Sequence, residues 1–98
     1  YETVLATDPQ APLTEHVRIA GKYCESGDIL AEDQALPQVK AGDLLAMLDT
    51  GAYGYSMASN YNRNPRPAVV FAENGKAKLV IKRESLEDLV HLDQSYLN

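Results

Sequence analysis

Hydrophobic and polar residues alternate along the first quarter of the chain in the pattern of short strands. Residues 1–6 alternate weakly and predict a strand that runs into a proline-containing loop. Apolar residues two positions apart within 14–24 predict a second strand, with Cys24 at its end. The segment 26–28 (Ser-Gly-Asp) follows and has the composition of a turn.

Later segments carry stronger strand signals. The continuous apolar run 44–48 is short enough to be a buried strand. Farther on, 68–72 and 77–82 flank Asn74-Gly75, a pair that suits the positive φ angles of a two-residue hairpin turn. These segments together predict a mainly β fold.

The C-terminal segment changes period and predicts a helix. Ser85, with Asp88 three residues later, resembles a capping box that has Asp in place of Glu. Apolar residues then recur on one side of a helix, at Leu86, Leu89, Val90 and Leu97. The predicted architecture is therefore a set of strands followed by one terminal helix.

The composition is that of a small globular domain and argues against two classes of partner. The chain has 98 residues, of which 45% are hydrophobic and 23% charged, enough for one modest core. A net charge of −5 argues against nucleic acid, whose binding needs an excess of Lys and Arg. No apolar run approaches the length of a membrane span. One cysteine and no Asn-x-Ser/Thr site are compatible with a cytoplasmic protein.

The motif 24–28 (Cys-Glu-Ser-Gly-Asp) places the only cysteine of the chain beside two carboxylates. A lone cysteine is most often a small buried packing residue, and that alternative stays open for Cys24. Its functional alternative is a proton donor, which needs no activating base in its resting state. Glu25 is either an exposed acid or a counter-charge for a substrate ammonium group. Asp28 either closes the turn or forms a salt bridge at an interface.

The motif 49–54 (Asp-Thr-Gly-Ala-Tyr-Gly) is the second candidate segment. Its small residues allow close approach of a backbone, and the Tyr53 hydroxyl can donate a hydrogen bond to a phosphate oxygen. The motif is not a phosphate-binding glycine-rich loop. His16 and His91 lie far apart without ligand spacing to other candidates, so neither a metal site nor a Ser-His-Asp arrangement is predicted.

Taken together, these motifs resemble the C-terminal portion of the diaminopimelate decarboxylase family. The order and spacing of the family are matched over nearly the whole chain, at 24–28, 42–46 (Gly-Asp-Leu-Leu-Ala), 49–54, 57–62 (Met-Ala-Ser-Asn-Tyr-Asn) and 66–67 (Arg-Pro). The resemblance implies that 1–98 form a Greek-key β-sandwich or barrel-like domain with a C-terminal helix, as in alanine-racemase-like enzymes. The N-terminal barrel of the family, which binds pyridoxal phosphate, is not part of these residues.

The resemblance also implies a chemistry. Enzymes of this family use pyridoxal phosphate to convert meso-2,6-diaminopimelate into L-lysine and carbon dioxide. Cys24 matches the catalytic proton donor, Glu25 a substrate-binding acid, and Tyr53 a residue that contacts both cofactor and substrate. Asp28 matches an acid at the interface of a homodimer whose subunits share their active sites. The family's enzymes act on a small-molecule amino acid, and no metal is implied.

The resemblance also bears on the substrate of the chain and on its activity in isolation. Ornithine-type members carry Asp after the cysteine, so Glu25 favours the diaminopimelate branch. Thr50 replaces a common Ala without consequence for the chemistry. The Schiff-base lysine belongs to the barrel, so the isolated chain is predicted to be inactive. The alternatives are a related amino-acid or polyamine decarboxylase, a non-catalytic homologue that acts as a binding partner, and an unrelated small β module.

Overall fold

Two compact units make up the computed structural model, which describes residues 1–97. The first unit is Tyr1–Tyr53 and the second begins at Gly54. The last residue of the predicted domain 1–98 lies outside the described residues. Both units are built from antiparallel strand pairs and short 3₁₀ turns, so the prediction of a mainly β fold is confirmed.

The first unit contains two antiparallel strand pairs. Strands β1 (Thr3–Leu5) and β4 (Leu45–Met47) form one pair. The hairpin of β2 (Glu15–Ala20) and β3 (Ile29–Leu36) lies between them in sequence. In the hairpin, a 3₁₀ helix at Ser26–Asp28 precedes β3 directly. Strand β1 also contacts β3.

Strand β3 is irregular where it approaches the cysteine-bearing loop. Val17 pairs with Gln34, but Ile19 pairs with Ala31, so the ladder slips by one residue between these pairs, and it slips again one pair later. Each slip adds an unpaired residue to β3, which bends a strand and increases its twist. The hairpin end that leads into the loop is therefore more strongly twisted than its base.

Few side chains are fully removed from water in this chain. Within residues 1–97, Leu36 is the one large side chain that is fully buried, and Thr3 is the one buried polar residue. The apolar run 44–48 does form a strand, but the prediction that it is buried is wrong. Leu44 is 66% exposed and Leu45 is 40% exposed. An apolar run indicates that a strand needs cover, but it does not say whether the same chain supplies that cover.

The second unit contains the predicted hairpin, formed by β5 (Val69–Glu73) and β6 (Lys76–Ile81). Its two-residue turn has Asn74 at φ 53° and Gly75 at φ 72°, the pair of positive angles that such a turn requires. The hairpin prediction is thereby confirmed. Two 3₁₀ turns, Tyr55–Met57 and Tyr61–Arg63, precede it.

The predicted C-terminal helix is not confirmed. Both capping bonds form, because the Ser85 N–H donates to Asp88 Oδ2 at 2.8 Å and the Asp88 N–H donates to Ser85 Oγ at 3.2 Å. Only a 3₁₀ turn at Glu87–Leu89 follows. Leu86 is 74% exposed and Leu97 90% exposed. Without a surface that buries its apolar stripe, a short helix is marginal in water, whatever its cap. In the part of the chain that the structure describes, no helix has the length and apolar character needed to cross a membrane.

An ion pair between Arg66 and Glu84 ties together the segments on either side of the β5–β6 hairpin. The Glu84 carboxylate accepts hydrogen bonds from the Arg66 backbone N–H at 2.6 Å, the Arg66 guanidinium at 3.2 Å and the Asn60 amide at 2.6 Å. The Glu84 N–H donates in return to the Arg66 carbonyl at 3.2 Å. The Arg66 guanidinium also lies 5.7 Å from the centre of the Tyr55 ring. Glu84 is therefore a hub for the second unit.

The hydrogen bonds to the Glu84 carboxylate predict that the stability of the second unit falls at acidic pH. Hydrogen bonds from the Arg66 side chain and backbone, followed by the Asn60 side chain, lower the pKa of Glu84 from 4.5 to about 2. Because this pKa lies below the unfolded value of about 4.3, the stabilisation is complete above about pH 5 and is lost as the pH falls toward 2. We expect Glu84→Gln to remove this part of the pH dependence. Urea unfolding of wild type and variant across that range measures it, and parallel pH profiles would contradict it.

The hairpin turn predicts a purely conformational effect at Gly75. A Cβ at this position would meet no atom within 4 Å, so the φ of 72° is the only obstacle to a side chain. We expect Gly75→Ala to lower the free energy of unfolding by about 1 kcal/mol. Gly51→Ala is the matched control, since its Cβ also meets open space and its φ is not in the left-handed region. Equal unfolding free energies for the two variants, measured in urea, would refute the prediction.

Candidate active site

The cysteine loop, defined as residues 21–28, joins β2 to β3 and is closed at its base by backbone hydrogen bonds. The Gly21 N–H donates to the Asp28 carbonyl at 2.8 Å. The Asp28 N–H donates to the Glu25 carbonyl at 3.0 Å. The loop therefore returns the chain to its starting point and is held by its own backbone.

Asp28 also fastens the cysteine loop through its side chain. Its Oδ2 accepts a hydrogen bond from the Tyr23 N–H at 2.8 Å, and its side chain is partly buried. Of the two alternatives open for Asp28, the local turn-closing role is the one formed within the chain. The interface role requires a second subunit and belongs to the proposals below.

Cys24 lies at the turn of the cysteine loop rather than at the end of a strand. Strand β2 ends at Ala20, so the expectation that a strand carries Cys24 at its end is wrong. Its thiol is free and the residue is exposed, so Cys24 does not pack in the interior of this chain. Its φ is 56°, in the left-handed region that costs a residue with a side chain about 1–2 kcal/mol.

Glu25 is turned back onto the cysteine loop. It caps the 3₁₀ helix, with Oε2 accepting the Gly27 N–H at 2.8 Å and Oε1 accepting the Ser26 hydroxyl at 3.2 Å. Both bonds are exposed to solvent. A substrate ammonium group that binds this carboxylate would therefore compete with neutral donors, and a charged donor makes the stronger bond.

Tyr53 is in a turn that follows β4, in the other strand pair of the first unit. Its side chain is 67% exposed. An exposed phenol hydroxyl can donate a hydrogen bond to a phosphate oxygen, but the contact of Tyr53 with a phosphorylated cofactor stays a prediction. The structure thus brings Cys24, Glu25 and Asp28 together in one loop and places Tyr53 on a separate element.

The histidines are engaged away from the cysteine loop. His16 Nδ1 lies 2.9 Å from Asp33 Oδ1 across the β2–β3 hairpin, and His91 Nδ1 lies 2.6 Å from the Asp88 carbonyl oxygen. Neither partner is Cys24, so the geometry gives no support to a histidine-activated thiol. Among residues 1–97, no group of three or more His, Cys, Asp or Glu side chains is arranged to hold a metal ion.

Gly21 is a residue of the loop that sequence reasoning missed. A Cβ built on Gly21 would overlap both carboxylate oxygens of Asp28. The sequence signal was a glycine inside the predicted strand 14–24, which is typical of a site where another group approaches closely. What approaches it, however, is set by the fold of the loop and not by the glycine itself.

Comparison with known proteins identifies the class. The family described as pyridoxal-dependent decarboxylase, C-terminal sheet domain, matches residues 1–51, just over half of the chain. The chain therefore belongs to the family of C-terminal sheet domains of pyridoxal-dependent decarboxylases. The match includes the whole cysteine loop and ends before Tyr53.

Similar proteins within this class include diaminopimelate decarboxylases. One from Bacillus subtilis (strain 168) is 62% identical over 93 residues, covering 95% of this chain and 21% of that protein. The chain thus spans about a fifth of the length of the curated relatives it matches.

Two solved structures of diaminopimelate decarboxylases contain a domain whose fold is similar to that of this chain. Diaminopimelate decarboxylase from Helicobacter pylori complexed with L-lysine is 35% identical, with a TM-score of 0.82 over 95% of this chain and 23% of that one. The enzyme from M. jannaschii in co-complex with L-lysine is 44% identical, with a TM-score of 0.78 over 83% of this chain and 19% of that one.

Proposed function

We propose that residues 1–98 are the C-terminal β-domain of an enzyme that decarboxylates meso-2,6-diaminopimelate to L-lysine. The identity of 62% to a diaminopimelate decarboxylase, over 95% of the chain, carries the proposal. Two structural relatives hold L-lysine, which is the product of this reaction. The pyridoxal-phosphate barrel and its Schiff-base lysine are supplied by another part of the full-length protein.

Cys24 is the proton donor in this proposal. When bound, pyridoxal phosphate supplies an electron sink for the electron pair left behind as carbon dioxide departs. The S–H bond of Cys24 then breaks and a C–H bond forms at the carbon that lost its carboxylate. The thiolate recovers a proton from solvent before the next turnover. An exposed thiol in a loop held at both ends is suited to both transfers.

In this proposal, Glu25 binds and orients the substrate, and Tyr53 binds both the substrate and the cofactor. The Glu25 carboxylate pairs with the ammonium group at the distal end of diaminopimelate, in exchange for its bonds within the cysteine loop. The Tyr53 hydroxyl would donate a hydrogen bond to the cofactor phosphate, and the same side chain would contact the substrate. The exposure of Tyr53 leaves it free to be covered by both.

The enzyme acts as a cytoplasmic homodimer in this proposal. The cysteine loop of one subunit completes the active site of its partner, and Asp28 lies at that interface. Large exposed apolar side chains support the idea that other surfaces cover this chain in the full-length protein, since monomers rarely expose large apolar patches. They include Leu44, Met57, Phe71 and Leu92.

The proton-donor role predicts a large effect on turnover. In the full-length holoenzyme, we expect Cys24→Ala to lower kcat about 10²-fold or more with a smaller change in KM, because general acid catalysis contributes about 10²–10⁴-fold. Release of carbon dioxide and formation of lysine measure it. His16→Asn is the control, since it removes a titratable group from the same hairpin and should leave kcat unchanged. Unchanged kcat in Cys24→Ala would refute the role.

The same assay decides the substrate. We expect diaminopimelate to be turned over in preference to ornithine and arginine, and the isolated 98-residue chain to turn over none of them. Preference for either of the other amino acids would identify a related decarboxylase, and no turnover of any by the holoenzyme would identify a non-catalytic homologue.

The Glu25 role predicts a loss of substrate binding. We expect Glu25→Gln to lower kcat/KM for diaminopimelate about 10-fold to 100-fold, since a hydrogen bond to a charged group contributes about 1.5–3 kcal/mol. The loop geometry should survive, because the Gln carbonyl can still accept the Gly27 N–H. Glu87→Gln, an exposed acid in the other unit, is the matched control. Equal kcat/KM values in the two variants would contradict the assignment.

A further inference from the structure

We infer that Asp28 and Gly21 form a lock that positions Cys24 for proton transfer, an inference that rests on the proposed function of Cys24. Asp28 holds the residue on each side of Cys24. Its Oδ2 accepts the Tyr23 N–H at 2.8 Å, and its own N–H donates to the Glu25 carbonyl at 3.0 Å. One residue thereby fixes both ends of the peptide segment that carries the thiol.

Gly21 is the other half of the lock. The Asp28 carboxylate occupies the space that a side chain at position 21 would need, because a Cβ there would overlap both of its oxygens. An aspartate side chain is short, so it cannot avoid such a Cβ and keep its bond to the Tyr23 N–H. The absence of a side chain on Gly21 is thus a condition for the Asp28–Tyr23 bond. The Gly21 N–H completes the arrangement by donating to the Asp28 carbonyl at 2.8 Å.

Cys24 needs such a lock because its own conformation is unfavourable. Its φ of 56° persists only where the surrounding structure over-determines it. The residue is exposed, so packing of its side chain does not hold it in place. The constraint comes instead from the backbone on either side, and the bonds of Asp28 act there. Proton transfer depends steeply on position, and a displacement of about 1 Å can lower a rate by about 10²-fold.

The test uses four variants of the full-length holoenzyme. We expect Asp28→Ala and Gly21→Ala to lower kcat at least about tenfold, because each breaks the bond to the Tyr23 N–H. We expect Asp28→Asn to stay within about threefold of wild type, since its amide oxygen still accepts that hydrogen bond. The double variant Gly21→Ala/Asp28→Ala should be no worse than Asp28→Ala alone, because the carboxylate that Gly21 accommodates is gone.

A second background separates positioning from folding. In Cys24→Ala enzyme there is no thiol to position, so Asp28→Ala should cause no further loss of kcat. A further loss of the same size would show a merely structural role and overturn the inference. If Asp28→Asn is as impaired as Asp28→Ala, the enzyme needs the charge of Asp28 and not its bond to the Tyr23 N–H, which would also overturn the inference. Loss of the dimer in size-exclusion chromatography would then show that the charge acts across the subunit interface. If Cys24→Ala alone leaves kcat unchanged, the proposed function fails first, and the lock fails with it.

Discussion

The hydrogen bond from the Tyr23 N–H to the Asp28 carboxylate is the constraint on which the candidate site depends. It links the two arms of the cysteine loop where β2 has ended and β3 begins, and its acceptor is charged and partly buried. Charge-assisted bonds are shorter and roughly twice as strong as neutral ones. The same loop contains the 3₁₀ helix at Ser26–Asp28, its cap by Glu25 and the exposed thiol of Cys24.

Each of the two units is held largely by backbone pairing and charged groups rather than by a core. The two strand pairs of the first unit bury one large side chain fully, and the second unit is organised around the carboxylate of Glu84. Exposed apolar strands are a liability in a free molecule. In the proposed function, the remainder of the full-length enzyme covers these strands.

The sequence predicted those parts of the fold that are decided locally. Asn74-Gly75 specifies its hairpin turn because both residues tolerate positive φ, whatever lies around them. The cap at Ser85 and Asp88 also forms as its spacing predicts. The helix after it does not, because a helix of that length depends on burial that a cap cannot provide. The prediction that 44–48 is buried was also wrong, because the surface that covers an apolar strand comes from other segments and cannot be read from the strand itself.

The candidate site was predictable in its composition but not in its geometry. The motif 24–28 identified a thiol and two acids, and one family matches the segment that holds them. The direction of the Glu25 carboxylate and the space beside Gly21 depend on how the loop closes, which no spacing rule specifies. Asp28 is an example. The sequence predicted that it either closes the turn or forms a salt bridge at an interface, and only the structure shows its bond to the Tyr23 N–H.

The φ of 56° at Cys24 favours a glycine, whereas the proposed chemistry requires a thiol at this position. A glycine would adopt this φ without penalty, but it would carry no sulfur. In the proposed function, a cysteine here gives up conformational stability so that its thiol can donate a proton, a compromise of the kind that separates activity from maximal stability in natural proteins. Attempts to engineer a more heat-resistant version of this domain should therefore leave this strained residue alone and seek their gains elsewhere.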